Sequence, residues 1–141
     1  MKLKALVNWY STLTPQTVGA LSEIYHEQAV FRDLFNQLQG QDEIVALFRH
    51  MFETTDAPVF HVIESQSTGS VAWVTWVFNC GIRGKKITIE GVTRLEFGRD
   101  GRVSLHRDYW DSADLFLEFP LVGTILRQLK KKMRLPQSHT V

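Results

Sequence analysis

Four side chains near the end of the chain have the types and spacing to do chemistry together. The stretch Gly101–Asp111 reads GRVSLHRDYWD. Strand alternation sends Ser104, His106, Asp108 and Trp110 to one face and Val103, Leu105, Arg107, Tyr109 and Asp111 to the other. The first set joins a titratable imidazole, a carboxylate and a large indole. A plain core face would carry Val, Ile and Leu, and a solvent face would not need the Trp. An apolar face with a few convergent polar groups is the lining of a small-molecule pocket. There Asp108 could move a proton and His106 could shuttle one. The competing roles are structural: a carboxylate bonded to a helix end or to an Arg such as Arg32, and a histidine that is only a hydrogen-bonded wall residue.

The elements that must position this strand follow from periodicity. Leu3, Leu6, Val7 and Tyr10 recur at helical spacing. Thr14-Pro15 predicts the start of a second helix, with Val18, Leu21, Ile24 and Tyr25 on one side. Ala29–Asp33 is short and extended, and Phe35–Gly40 is irregular. Asp42 and Glu43 suit the first turn of a third helix, striped by Ile44, Leu47, Phe48, Met51 and Phe52. From Ala57 the period switches to two. Strands are predicted over Pro58–Ser67, Ser70–Ile82 and Lys86–Phe97, ahead of the one described above. Short loops between them make hairpins and an antiparallel sheet. Helices first and strands later define an α+β fold. Trp73 and Trp76, three apart on one strand, cannot share a face. On Lys86–Phe97 the charged set Lys86, Glu90, Arg94 and Glu96 points out, leaving Ile87, Ile89, Gly91, Thr93, Leu95 and Phe97 inside. Beyond Pro120, Leu121, Val122, Ile125, Leu126, Leu129 and Met133 stripe a last helix, and Pro136–Val141 is expected to fray.

Composition bounds the answer. The chain has 141 residues, 44% hydrophobic and 22% charged, enough for one soluble domain with a real core. Its aromatic share of 11% must line a core, a cavity or an interface. One cysteine, Cys80, allows no intrachain disulfide, which fits a reducing cytoplasm, and its thiol reads as buried and inert. No Cys/His spacing suggests zinc, so no metal or cofactor is implied. No signal peptide and no apolar run of membrane-spanning length is visible. Of the 16 basic residues, Arg127, Lys130, Lys131, Lys132 and Arg134 follow Glu118, the last acid. The net +1 therefore divides into −4 for the body and +5 for the tail. An acidic body without a recognition motif argues against nucleic acid.

The order of elements and two local motifs resemble the nuclear transport factor 2-like, or SnoaL-like, cone-fold superfamily, over about residues 3–119. Ile24–Asp33, IYHEQAVFRD, is similar to the family segment joining the second helix to the first strand. His106–Asp111, HRDYWD, is similar to its closing-strand motif. The resemblance implies three helices packed in a curved, mixed, mainly antiparallel sheet, with an apolar pocket at the wide end. It also implies a homodimer through the outer sheet face. Relatives include ketosteroid isomerase, limonene epoxide hydrolase and polyketide cyclases, and fold alone does not fix the reaction.

Carried over by position, the resemblance makes Asp33 the proton-shuttling carboxylate of an isomerase, a role that needs a desolvated carboxyl. The alternative is that Asp33 caps the following loop through backbone amides. Asp108 falls on an acidic catalytic position of the hydrolase and cyclase branches. Tyr10, or Trp9 if the first helix shifts by one residue, falls on the oxyanion-stabilising tyrosine, although the helical stripe also makes Tyr10 a packing residue. Phe35, Thr93, His106 and Trp110 would complete the ligand site. Thr93 stands where the isomerase carries a second oxyanion acid and is a weaker donor. The Arg and Asp of the epoxide hydrolase fall near Trp73 and Thr75, which cannot supply that chemistry, and this weighs against epoxide hydrolysis.

Three functions remain open. One is an isomerase- or cyclase-type enzyme in which Asp33 or Asp108 moves a proton on a hydrophobic carbonyl compound. The second is a non-catalytic carrier of a lipid-like ligand, or an accessory subunit. The third is a membrane-surface protein that uses the basic amphipathic helix of the tail, residues 120–141.

Overall fold

The computed structural model describes residues 1–136. The part of the expected frayed end beyond Pro136 lies outside them. The elements are α1 (Leu3–Ser11), α2 (Leu21–Ile24), β1 (Tyr25–Arg32), β2 (Gln37–Gln39), α3 (Gln41–Thr54), β3 (Asp56–Thr68), β4 (Val71–Ile82), β5 (Lys85–Phe97), β6 (Val103–Trp110), α4 (Ala113–Phe116) and α5 (Pro120–Met133). One six-stranded sheet runs β2-β1-β6-β5-β4-β3. Only the β1–β6 pair is parallel; the others are antiparallel. The α+β fold with a mixed, mainly antiparallel curved sheet is the one the sequence implies.

The hairpins form because the turns are chemically specified. Between β4 and β5 the two-residue turn Arg83-Gly84 has both φ angles positive, +51° and +77°. That backbone matches the right-handed twist of the flanking strands, and glycine adopts it without strain. On the concave face the inward residues of β4 and β5 are buried, among them Ala72, Val74, Trp76, Ile87, Leu95 and Phe97. α1 and α3 lie across that face, against β3 and β1. α1 buries Leu6, Trp9 and Tyr10, and α3 buries Ile44 and Phe48. Glu43, in the first turn of α3, accepts a hydrogen bond from the Gln39 backbone N–H at 2.9 Å. This ties β2 to the helix and places negative charge where the helix dipole favours it.

Four local expectations change. Phe35–Gly40, expected to be irregular, contains β2, which pairs antiparallel with the end of β1. The second helix is two fragments, a 3₁₀ turn at Val18–Ala20 and the single turn of α2. Thr14 does not cap it; the Thr14 N–H donates to the Thr17 hydroxyl instead. Tyr25, expected on that helix, is the first residue of β1, which is eight residues long rather than five. On β6 the alternation fails at its start. Leu105 pairs with Glu96 but Val103 pairs with Phe97, so Ser104 is an extra residue in a bulge. Val103 therefore turns inward and is fully buried, while the Ser104 hydroxyl donates to the Glu96 carbonyl. From His106 onward the expected phase holds, with His106 opposite Leu95 and Asp108 opposite Thr93.

Candidate functional site

Adjacent strands bring Asp108, Thr93 and Trp76 side by side. Thr93 pairs with Asp108 across β5–β6, and Val74 and Gly91 bring Trp76 alongside across β4–β5. The Trp76 ring can lie flat there because residue 91 is glycine: a Cβ at Gly91 would sit 2.3 Å from the ring. The side chains are joined by a directed chain of hydrogen bonds. The Trp76 indole N–H donates to Thr93 Oγ1 at 2.8 Å. An indole can only donate, so the Thr93 oxygen is the acceptor and its own proton goes to Asp108 Oδ1, 2.6 Å away. His106 Nε2 approaches the same oxygen at 2.8 Å, and its Nδ1 is 2.7 Å from the Tyr25 hydroxyl. A carboxylate can only accept, so Nε2 is the donor to Asp108, and a neutral ring then accepts from Tyr25 at Nδ1.

Both bonds to Asp108 fall on Oδ1. Oδ2 takes part in no hydrogen bond among the described residues. The side chain is 11% exposed, and it lines a cavity of about 260 Å³. Its other walls are mostly apolar, including Phe31, Phe48, Phe60, Trp76, Ile89 and Trp110. Tyr10 also lines it, its ring stacked on Phe60 with centroids 4.1 Å apart. Burial pushes the Tyr10 phenol well above its ordinary range, the Asp108 charge adds to this, and the Thr93 hydroxyl pulls the other way. Tyr25 is raised by burial first and then by Asp108. Both phenols therefore stay protonated at neutral pH, and Tyr10 lines the cavity with its hydroxyl close to Thr93. Cys80 lines the cavity as well. Burial, then the Asp56 charge, raises its thiol, which makes it a poor nucleophile.

The structure sorts the sequence-derived site residues into three groups. Asp108, Tyr10 and Trp110 meet at the cavity, with Phe35 and Asp33 at its mouth. Phe35 is 63% exposed and packs beside Trp110, with centroids 5.9 Å apart. Thr93 and His106 stand behind the wall, bonded to the cavity-lining Asp108, and Thr93 has no proton left for a ligand. Trp9 is apart from the cavity, buried in the core with its N–H donated to the Thr17 carbonyl at 2.8 Å. Asp33 is engaged locally. Its Oδ1 accepts from the backbone N–H of Phe35 at 2.8 Å and of Asn36 at 2.6 Å. Trp73 and Thr75, the positions matched to the hydrolase pair, lie on the outer face, with Trp73 beneath the Arg94 guanidinium at 5.9 Å. Their inward neighbours, Val74 and Trp76, carry no charge either. Tyr25 is the member of the chain that periodicity hides: a register shift in β1 between Tyr25 and Val30 breaks the alternation that would have pointed to it. Among the described residues, no group of three or more His, Cys, Asp or Glu could hold a metal ion.

A helix-packed curved sheet around a carboxylate-bearing cavity defines the cone-fold class. The chain belongs to the SnoaL-like domain family, whose model matches residues 6–106. No curated protein matches the chain in sequence. Solved structures share the fold. An NTF2-like protein of unknown function from Burkholderia pseudomallei superposes with a TM-score of 0.72 at 15% identity, over 82% of this chain and 94% of that one. A Catenulispora acidiphila protein with a ketosteroid isomerase-like fold, in complex with trimethylamine, gives 0.69 at 14% identity, over 81% and 88%. An LEH-like epoxide hydrolase from M. tuberculosis gives 0.66 at 21% identity, over 89% and 92%.

Proposed function

We propose that the cavity binds a small hydrophobic carbonyl compound and that Asp108 moves a proton on it, in an isomerase- or cyclase-type reaction. The observation that carries this reading is the wiring of Asp108. Thr93 and His106 fix one carboxylate oxygen, and the other has no partner among the described residues at the wall of an apolar cavity. A base must be held in position and must have a free lone pair, and this arrangement supplies both. Abstraction of a proton next to a carbonyl puts negative charge on the carbonyl oxygen. The protonated Tyr10 phenol, on the cavity wall, is our candidate for stabilising it. Asp33, at the mouth, holds the entrance loop. His106 and Thr93 are positioning residues, since each acts through Asp108.

The test is a panel of hydrophobic carbonyl substrates assayed with the wild-type protein and Asp108→Asn. The amide retains an acceptor for Thr93 and His106, so the fold survives, and it removes the basic oxygen. Turnover that persists unchanged in the variant overturns the assignment.

One observation favours a non-catalytic carrier instead. The Thr93 proton is committed to Asp108, so Thr93, at the position of the isomerase's second oxyanion acid, has none to give a ligand. On this reading native mass spectrometry of the purified protein shows a co-purified hydrophobic molecule, and no member of the carbonyl panel turns over. Protein that is consistently empty counts against it.

A further inference from the structure

The cavity does not account for α5. We propose that α5 lies in the plane of an anionic lipid surface and docks the protein there. The helix meets the body with one side only. At Gly123 an added Cβ would come within 2.8 Å of the Leu117 carbonyl oxygen, and the Arg127 guanidinium donates to that same oxygen at 3.3 Å. At 100° per residue, Leu121, Val122, Ile125, Leu129 and Met133 fall within about 120° of arc on another side. All five are exposed, Ile125 at 65% and Met133 at 77%. An amphipathic face left open to water in this way needs a partner.

Charge selects which partner. Arg127, Lys130, Lys131, Lys132 and Arg134 lie on or just after α5, and no acid follows Glu118. The residues up to Glu118 carry a net −4. An anionic membrane would attract the helix and repel the rest, so that only α5 faces the lipid. The helix is about 21 Å long at 1.5 Å per residue, and no helix among the described residues is long and apolar enough to cross a membrane. It therefore lies on the surface, with apolar side chains inserted and lysines snorkelling to headgroups. Docking would bring the lipid within one short helix of the cavity, because Leu115 of α4 is part of the cavity wall.

Flotation of the full chain with vesicles tests this. Wild type should float with phosphatidylcholine vesicles containing phosphatidylserine, should not float with phosphatidylcholine alone, and should be released by high salt. Lys130→Gln/Lys131→Gln/Lys132→Gln should weaken binding on the order of a hundredfold, since each lysine near such a surface contributes roughly fivefold. Ile125→Gln/Leu129→Gln, which leaves the Gly123 contact intact, should abolish it. Failure of wild type to float with anionic vesicles overturns the proposal. So does flotation indifferent to both variants, or equal on neutral vesicles. If wild type is a dimer that does not float, and the Ile125/Leu129 variant makes it monomeric, the occupant is a second copy and the lipid proposal is wrong.

Discussion

Asp33 and Asp108 border the same cavity, yet they are held in opposite ways. Asp33 is fixed by residues two and three places along its own loop, through backbone amides that any short polar side chain could engage. Asp108 is fixed by side chains from two strands, which are in turn fixed by Tyr25 on β1 and Trp76 on β4. A local cap organises its loop whatever the rest of the protein does. A long-range network exists only if the whole sheet forms, and it delivers one side chain to one place with its rotamer decided. The difference separates a carboxylate that shapes the entrance from one prepared to meet a ligand.

The largest effect that could break this contrast is on turnover. Asp108→Asn should lower the rate on an active carbonyl substrate by about 10³-fold or more, within the range for loss of a positioned acid–base group together with its charge. Asp33→Asn, which retains an acceptor for the loop amides, should change the rate by less than about tenfold. If the two variants lose equal activity, assayed on protein with wild-type circular dichroism, the functional division between the two acids is wrong.

The tyrosines give a second handle, through pH. Tyr10 and Tyr25 both have folded-state pKa values raised above the ordinary 10.0, by burial first and then, for each, by Asp108. A raised pKa means that the native state holds its proton more tightly than the unfolded chain. The resulting stability is fully present below about pH 10 and is lost as pH rises through the folded-state values. Denaturant melts should therefore show steep destabilisation above pH 10. In Asp108→Asn the phenols should ionise at lower pH, read from tyrosinate absorbance. Asp33→Asn should move Tyr10 less, because Asp33 is the weakest of the charges acting on it. An equal shift from both variants would place Asp33 electrically as deep as Asp108.

Much of this was legible in the sequence. The period-two segments after Ala57, the Arg83-Gly84 turn and the inward set of β5 all follow from rules that act over a few residues. The face shared by His106, Asp108 and Trp110 was legible for the same reason. What hid were consequences of register. The extra residue at Ser104 reverses Val103, and the shift in β1 moves Tyr25 from an expected helix stripe to the far side of His106. A bulge is one residue of mismatch between two strands, so neither strand records it alone. The commitment of the Thr93 proton was invisible too, because it depends on Trp76 lying over Gly91, 15 residues along the chain. The role of Asp33 was open because a residue ending a strand before an irregular loop can point either way, and only the Phe35 and Asn36 amides decide it.

Stability measurements sharpen the contrast at smaller scale. Thr93→Val keeps the shape but removes the one acceptor that the described residues offer the buried Trp76 N–H, and a donor to Asp108. A buried donor left unsatisfied costs about 1–3 kcal/mol, so this variant should melt early and bind ligand less tightly. A loss under 0.5 kcal/mol would mean the chain of bonds contributes nothing to the fold.

The smallest effect belongs to Asp33→Ala. It frees two backbone amides of an exposed loop to bond with water, and the nearest measured analogue, loss of a helix cap, costs about 1 kcal/mol. Global unfolding should shift by about that much or less, because the Phe35–Asn36 turn is at the rim and not in the core. The sharper readout is local. Amide exchange at Phe35 and Asn36 should accelerate while His106 and the strands behind Asp108 keep their protection. If exchange rises across β6 as well, the loop and the network are one cooperative unit, and the two aspartates are not independently wired.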